Sequence, residues 1–337
     1  MVSRLGFGGI PIQRLTEDEA IAVVKRCLDL GINFIDTAHA YTTSETRIGK
    51  AISGRREGLI LSTKSPARNS KEIAEHLRQS LKQLGVKSID LYQFHSVNDF
   101  ETLDTILDPN GPMAVLEEAK NAGKIRHIGI TSHQIDVAKK AVASDRFETI
   151  MFPLNFVTFE AVDEILPLAK EHDVGFIAMK PMSGGMITNA RIAFKFLFQL
   201  PDVVPIPGIQ RVQEIEEIVQ ILEGPRVITE AEQEEMLRLR QKLGTKFCHR
   251  CDYCQPCKQE IPIPIVLAYP GLTVTEPPEA LFEGFFTEAM EKAASCTQCG
   301  ECEERCPFDL PIREMVAAHS KAYQIDKKNY RKKKASR

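Results

Sequence analysis

A (β/α)8 TIM barrel followed by a small α-helical, cysteine-rich domain is the fold class this 337-residue chain predicts. Three observations predict it. Short β-rich runs alternate with amphipathic helical stretches over about the first 225 residues, the usual size of one such barrel. Those runs are nearly all apolar, as strands are in a parallel sheet covered on its outer face. Eight of the nine cysteines crowd together between Cys248 and Cys306. We draw the expected boundary at residue 243, with the barrel over 1–243 and the smaller domain over 244–337.

The candidate strands, in order, are "RLGFGGI", "INFIDTA", "LILSTKS", "SIDLYQFH", "RHIGITS", "TIMFPLN", "VGFIAMK" and "VVPIPGI". Between them lie helical patterns such as "TEDEAIAVVKRCLDLG", "SKEIAEHLRQSLKQLG" and "AVDEILPLAKEHD". Thr16 and Ser70 are the expected capping residues of the first two, and Gly31 and Gly85 their expected ends. An open doubly wound sheet is the rival fold. Its dinucleotide fingerprint should follow the first strand, and "GFGGIPIQRL" matches it poorly. After Glu223, "TEAEQEEMLRLRQKLG" predicts one more helix, with an acidic start and a basic end. The basic end of the chain, "KKNYRKKKASR", reads as a solvated, frayed tail.

Composition excludes several function classes. A hydrophobic share of 43%, a charged share of 26% and a net charge of −3 describe an ordinary globular protein with no global pull toward nucleic acid or anionic membrane. There is no membrane-length apolar run. The start "MVSRLGFGGI" lacks the basic and apolar segments of a signal peptide, so a cytoplasmic location is expected. In that compartment clustered cysteines point to metal rather than disulfides. Cys27, alone in "AIAVVKRCLDLG", reads as a small buried hydrophobe.

In a barrel of this kind chemistry sits where strands end at the C-terminal face. Asp36 ends the second strand, Tyr41 follows in its loop, Lys64 ends the third and His95 the fourth. Each alone would pass as a satisfied structural group; together on adjacent strands they form a coherent set. An ammonium at Lys64 favours the phenolate of Tyr41 and so makes the phenol a better acid. Asp36 would hold the lysine charged and aimed. Tyr41 could then protonate a carbonyl oxygen while His95 orients that oxygen by a hydrogen bond.

These residues, with "GINFIDTAHAYTTSE", "LSTKS", "SIDLYQFH", "GKIRHIGITS", "AMKPMSGG" and "PIPGIQRVQEIEE" in that order, resemble the aldo-keto reductases over nearly the whole barrel. The resemblance implies a carbonyl reductase using NADP or NAD, with Tyr41 as general acid and Asp36, Lys64 and His95 as its partners. It implies nicotinamide contacts at Thr131 and Ser132, with Met151 standing where the family often has a glutamine. It implies a ring-packing residue at Met179, pyrophosphate contacts along Lys180, Pro181 and Met182, and adenine-ribose contacts at Gly208, Arg211 and Glu217. NADP-specific members carry basic residues where this chain has Gly208 and Glu214, which leaves Arg211 as the nearest cation and brings NAD into contention. Two further departures are Thr42, where glycine commonly follows the tyrosine, and a start directly at the first strand without the family's usual hairpin.

The second cysteine group, Cys296, Cys299, Cys302 and Cys306, spells C-x2-C-x2-C-x3-C-P, a bacterial-ferredoxin pattern. The first supplies Cys248, Cys251, Cys254 and Cys257. Eight thiolates suit two [4Fe-4S] clusters, so the smaller domain is expected to be ferredoxin-like. By the ferredoxin analogy one cluster takes Cys248, Cys251, Cys254 and Cys306, the other Cys296, Cys299, Cys302 and Cys257. A zinc ribbon is the alternative. The whole chain resembles the subset of aldo-keto reductases with such a C-terminal segment.

Nicotinamide gives up two electrons as hydride, whereas a cubane takes one at a time. Three readings are compatible with that mismatch. The chain is a reductase of a small carbonyl substrate whose clusters are structural or sense redox state. Alternatively, it is an electron-transfer protein serving a flavin or a redox partner protein, with the barrel as docking body. In the third, it is a sensor that binds nicotinamide without turnover. No nucleic-acid or membrane partner is expected.

Overall fold

The computed structural model describes residues 1–244, 248–250 and 252–335. The chain divides into two compact units, one of residues 1–183 with 187–232 and one of residues 184–186 with 233–337.

The first unit is an eight-stranded parallel sheet in the order β1 to β8. Its strands are β1 (Gly6–Gly8), β2 (Phe34–Asp36), β3 (Ile60–Ser65), β4 (Ile89–Phe94), β5 (Ile125–Thr131), β6 (Thr149–Pro153), β7 (Gly175–Met179) and β8 (Val203–Pro205). A parallel bridge between Gly8 and Gly208 brings the last strand back to the first, with the Gly8 N–H donating to the Pro207 carbonyl. The two glycines allow that approach. A Cβ on Gly8 would lie 2.9 Å from the Ile206 and Pro207 carbonyl oxygens, and one on Gly208 would lie 2.6 Å from the Pro11 ring. This is the (β/α)8 barrel the alternation predicts.

Successive residues of each strand alternate between the barrel interior and the helical layer. Phe34, Leu91, Met151, Ile177 and Ile206 fill the interior as an apolar plug, against which Met179 packs partly. Burying side chains of this size stabilises by about 1.5–3 kcal/mol each. Two residues farther along the same strands the interior turns polar, at Asp36 on β2 and Gln93 on β4. Gly129 on β5 makes room for Gln93: a Cβ there would stand 3.0 Å from Gln93 Cγ and 2.2 Å from Thr149 Oγ1.

The first three α-helices are α1 (Glu17–Asp29), α2 (Ser44–Ala51) and α3 (Ser70–Leu84). Thr16 caps α1 in a reciprocal box with Glu19. The cap of α3 is Asn69, one residue before the expected Ser70, because the Asn69 carboxamide oxygen reaches the Glu72 N–H. Gly85 ends α3 in the left-handed conformation, φ +66°. Cys27 lies fully buried on α1, where burial pushes its thiol up to about 12.

The second unit is helical. Val266, Leu267, Tyr269, Phe282, Met290 and Tyr323 lie at its core. Its last helix runs over Ile312–Ala335, so the basic segment is helical up to Ala335 rather than frayed. Side chains along that segment explain the order. Tyr269 donates to Asp326 at 2.7 Å, Lys327 pairs with Glu291, the Tyr330 ring lies 5.2 Å from Phe282, and Lys334 pairs with Glu283. Among the described residues no helix is long and apolar enough to cross a membrane.

Candidate active site

The C-terminal ends of β2, β3 and β4 bring Asp36, Lys64 and His95 together, and the loop after β2 adds Tyr41. Asp36 and Lys64 are each 2% exposed. Lys64 Nζ donates to Asp36 Oδ2 and to the Thr37 carbonyl, both at 2.5 Å. Asp36 Oδ1 accepts from the Ser62 hydroxyl at 2.8 Å and from Gln93 Nε2 at 3.3 Å, and Gln93 also donates to Ser62 at 2.8 Å. A carboxylate this buried persists because every oxygen is answered. Burial drives the lysine below its ordinary value, with Asp36 and Glu45 opposing, and pushes Asp36 up, with Lys64 opposing.

The Tyr41 ring stands between two of these groups. Lys64 Nζ is 5.0 Å from its centroid, and the His95 ring meets it edge-on with centroids 5.7 Å apart. A compact turn holds the ring there. The Tyr41 N–H donates to the Ala38 carbonyl, the Ser44 N–H to the Tyr41 carbonyl, and the His39 N–H to the Lys64 carbonyl. Thr42 sits at φ +26°, on the side of backbone space that favours glycine, and its hydroxyl donates to Gln13 Oε1 at 2.9 Å. His95 is pulled down to about 3 by burial first, then by the charges of Lys64 and Arg68. Its imidazole is therefore neutral and offers one N–H. Arg68 fixes the backbone beneath it, donating to the His95 carbonyl at 2.5 Å and the Ser96 carbonyl at 3.2 Å.

The expected cofactor contacts fall on the ends of β5 and β7 and the segment after β8. Thr131 Oγ1 accepts from the Ser96 N–H at 2.7 Å, and Ser132 Oγ accepts from the Gln134 N–H at 3.1 Å. Met151 is 1% exposed in the interior plug, a packing residue. Met179 caps that plug and stays partly exposed, an apolar floor on which a flat nicotinamide ring fits. Lys180 follows at φ +56°, its carbonyl accepting from Asn155 Nδ2 at 3.1 Å; Pro181 is buried and Met182 half-buried. Arg211 precedes the helix Val212–Glu223, on which Glu217 is exposed. Its Nε donates to Glu214 Oε1 at 2.9 Å, while Glu214 Oε2 accepts the Gln210 and Arg211 N–H groups at 2.8 and 3.2 Å. The nearest cation is thus already answered by a carboxylate.

Sequence reasoning missed Ser62, Gln93, Arg68 and Glu45. The first two carry a signal: each stands two residues before Lys64 or His95, on the same face of an otherwise apolar strand.

In the second unit a pocket of about 460 Å³ is lined by Cys257, Cys296, Cys299 and Cys302, with Lys258, Arg305 and Arg313 around them. Cys299 is exposed and the other three half-buried. Cys248, Cys254 and Cys306 pack against the helical core, and Cys251 lies outside the described residues. Among the described residues no three His, Cys, Asp or Glu side chains stand close enough to hold a single metal ion. Thiolates round a cubane stand farther apart than those round one ion, because iron and sulfide lie between them. A pocket lined by four thiols fits the larger group.

Residues 4–192 match a protein-family model described as the Aldo/keto reductase family. Among curated proteins the chain is similar to the uncharacterized oxidoreductase YqkF of Bacillus subtilis, 30% identical over 203 residues, covering 56% of this chain and 63% of that protein. It is likewise 30% identical to the aldo-keto reductase YhdN of Bacillus subtilis over 220 residues, 60% of this chain and 64% of that one. L-galactose dehydrogenase of Arabidopsis thaliana is 30% identical over 207 residues, 56% and 64% of the two chains. The match thus spans just under two thirds of the length of these relatives. Among solved structures, the holo form of aldo-keto reductase AKR11C1 from Bacillus halodurans superposes with a TM-score of 0.61 at 26% identity, over 71% of this chain and 92% of that one.

Proposed function

The chain belongs to the aldo/keto reductase family, and from that membership we propose that it reduces an aldehyde or ketone with NADH or NADPH, Tyr41 being the proton donor. The observation that carries this reading is the phenol ring between the Lys64 ammonium and a neutral His95. When bound, the nicotinamide supplies hydride to the carbonyl carbon. Tyr41 gives its hydroxyl proton to the carbonyl oxygen as that oxygen gains charge. Lys64 favours the phenolate left behind, and Asp36, Ser62 and Gln93 keep the ammonium aimed. The neutral imidazole of His95 donates to the same oxygen, a role that an imidazolium would spoil by competing for the proton. Thr131, Ser132, Met179 to Met182 and the segment from Gly208 through Arg211 to Glu217 are the proposed cofactor contacts.

Glu214 argues for NAD over NADP. A 2′-phosphate approaching the start of the helix Val212–Glu223 would meet its carboxylate and a cation already paired. Glu214→Lys is expected to raise kcat/KM for NADPH relative to NADH by roughly tenfold, about 1.4 kcal/mol. A wild-type enzyme that already prefers NADPH would sink this part of the reading.

Residues 1–243 are the proposed catalytic barrel and 244–337 the proposed cluster domain. One [4Fe-4S] cluster would be held by Cys257, Cys296, Cys299 and Cys302, the four thiols that line one pocket. A second would use Cys248, Cys251, Cys254 and Cys306. Such clusters supply structural clamping or one-electron exchange, and hydride transfer needs neither.

The test is anaerobic purification of the full chain, followed by NADH and NADPH oxidation against a panel of aldehydes and ketones. Metal analysis accompanies it, with about eight iron and eight sulfide per chain expected, falling to about half in Cys299→Ser. Stoichiometric zinc with no labile sulfide would overturn the cluster assignment. Absence of carbonyl-dependent oxidation with either nicotinamide would overturn the reductase.

A further inference from the structure

We propose that Glu45, buried behind the barrel wall, is a positioning residue that holds Lys64 in its ammonium form. The inference rests on the reductase reading and deepens it.

Glu45 is the second residue of α2, four after Tyr41, and only 1% exposed. A carboxyl so buried calls for a full set of partners, yet it has half of one. Oε1 accepts the Thr63 hydroxyl at 2.6 Å, while Oε2 meets no hydrogen-bond donor. Thr63 is the neighbour of Lys64 on β3. Strand alternation puts its side chain on the helical side of the wall and that of Lys64 inside the barrel. The carboxyl therefore bears on the ammonium through the sheet, without touching the substrate side.

The surroundings leave Lys64 as the main cation that Glu45 can answer. On the loop after β2, His39 Nδ1 stands 3.9 Å from Glu45 Oε2, beyond hydrogen-bond reach, and is itself unpartnered. Burial first, then His76, keeps His39 below the ordinary histidine value. From α3, His76 stacks on His39 with centroids 3.9 Å apart and shares a 2.8 Å hydrogen bond with Ser65; Glu75 also bears on His39. From β4, the Tyr92 hydroxyl faces Ser65 and Ser80, and burial first, then Glu45, raises its value. Burial raises Glu45 as well, with Thr63, Ser80 and Lys64 opposing. Lys64 thus has two carboxyls acting on it: Asp36 by direct contact and Glu45 from outside the wall.

A purely structural Glu45 would tie α2 to β3 and nothing more, and Glu45→Gln keeps that tie because its carboxamide oxygen still accepts from Thr63. The experiment follows Lys64 itself by titrating the full chain labelled at lysine Cε, with the resonance identified by its loss in Lys64→Met. Glu45→Gln is expected to move the Lys64 midpoint down by roughly half to one pH unit. The alkaline fall of kcat should shift the same way, a three- to tenfold loss at a fixed pH on that limb. An unchanged midpoint in a folded Glu45→Gln protein overturns the proposal, whether or not the wild type turns over carbonyls. Wild type labelled at glutamate Cδ gives a second check. Reciprocity requires the Glu45 resonance to inflect at the Lys64 midpoint, and a flat Glu45 trace there also overturns the proposal.

Discussion

Tyr41→Phe is expected to lower kcat for carbonyl reduction by about 10²- to 10⁴-fold, the usual worth of a positioned proton donor. The substitution removes one oxygen and leaves the ring. Its contacts with Lys64 and His95 survive, and the turn that holds it is made by backbone groups of Ala38, Tyr41 and Ser44. Folding and nicotinamide affinity should therefore stay close to wild type, the latter checked by quenching of cofactor fluorescence. If the variant keeps a tenth or more of wild-type kcat, the proton comes from another group and the assignment of Tyr41 fails.

Lys64→Met should cost the barrel about 3–5 kcal/mol at neutral pH, read from its urea unfolding midpoint, because it strands Asp36 in the interior. The deficit has a defined pH dependence. Burial raises Asp36, and without the ammonium nothing of opposite charge in contact holds it down. Below about pH 3.9 the carboxyl is protonated in both folded and unfolded chains, and the penalty vanishes. As pH rises the unfolded chain releases that proton and the folded chain does not, so stability is lost with rising pH. Adding Asp36→Asn should restore much of it. A Lys64→Met deficit that stays constant from pH 4 to pH 8 would show that lost packing, and not a stranded charge, is responsible.

Much of this was legible in the sequence. The alternation of apolar runs and helices pointed to the barrel, because a strand buried on both faces has little choice of residue. Asp36, Lys64 and His95 were legible because a polar residue ending such a strand stands out. Glu45 was not. Its neighbours "TTSETRIG" read as any helix start, and burial of a carboxyl behind a sheet is a tertiary fact. The basic end misled for a different reason. Like charges in sequence suggest repulsion and fraying, but Tyr323, Lys327, Tyr330 and Lys334 fall on one helical stripe and meet Phe282, Glu291 and Glu283. A charge count missed a spacing of four, three and four.

The depressed value of His95 reaches beyond turnover. Histidine commonly serves proteins as a gauge of acidity, and this one has been taken out of that service. Under mild acid stress the open chain would take up a proton at this ring that the native state refuses, tilting the balance toward unfolding. A donor that never changes its tautomer at working pH is thus obtained by weakening the fold's acid tolerance.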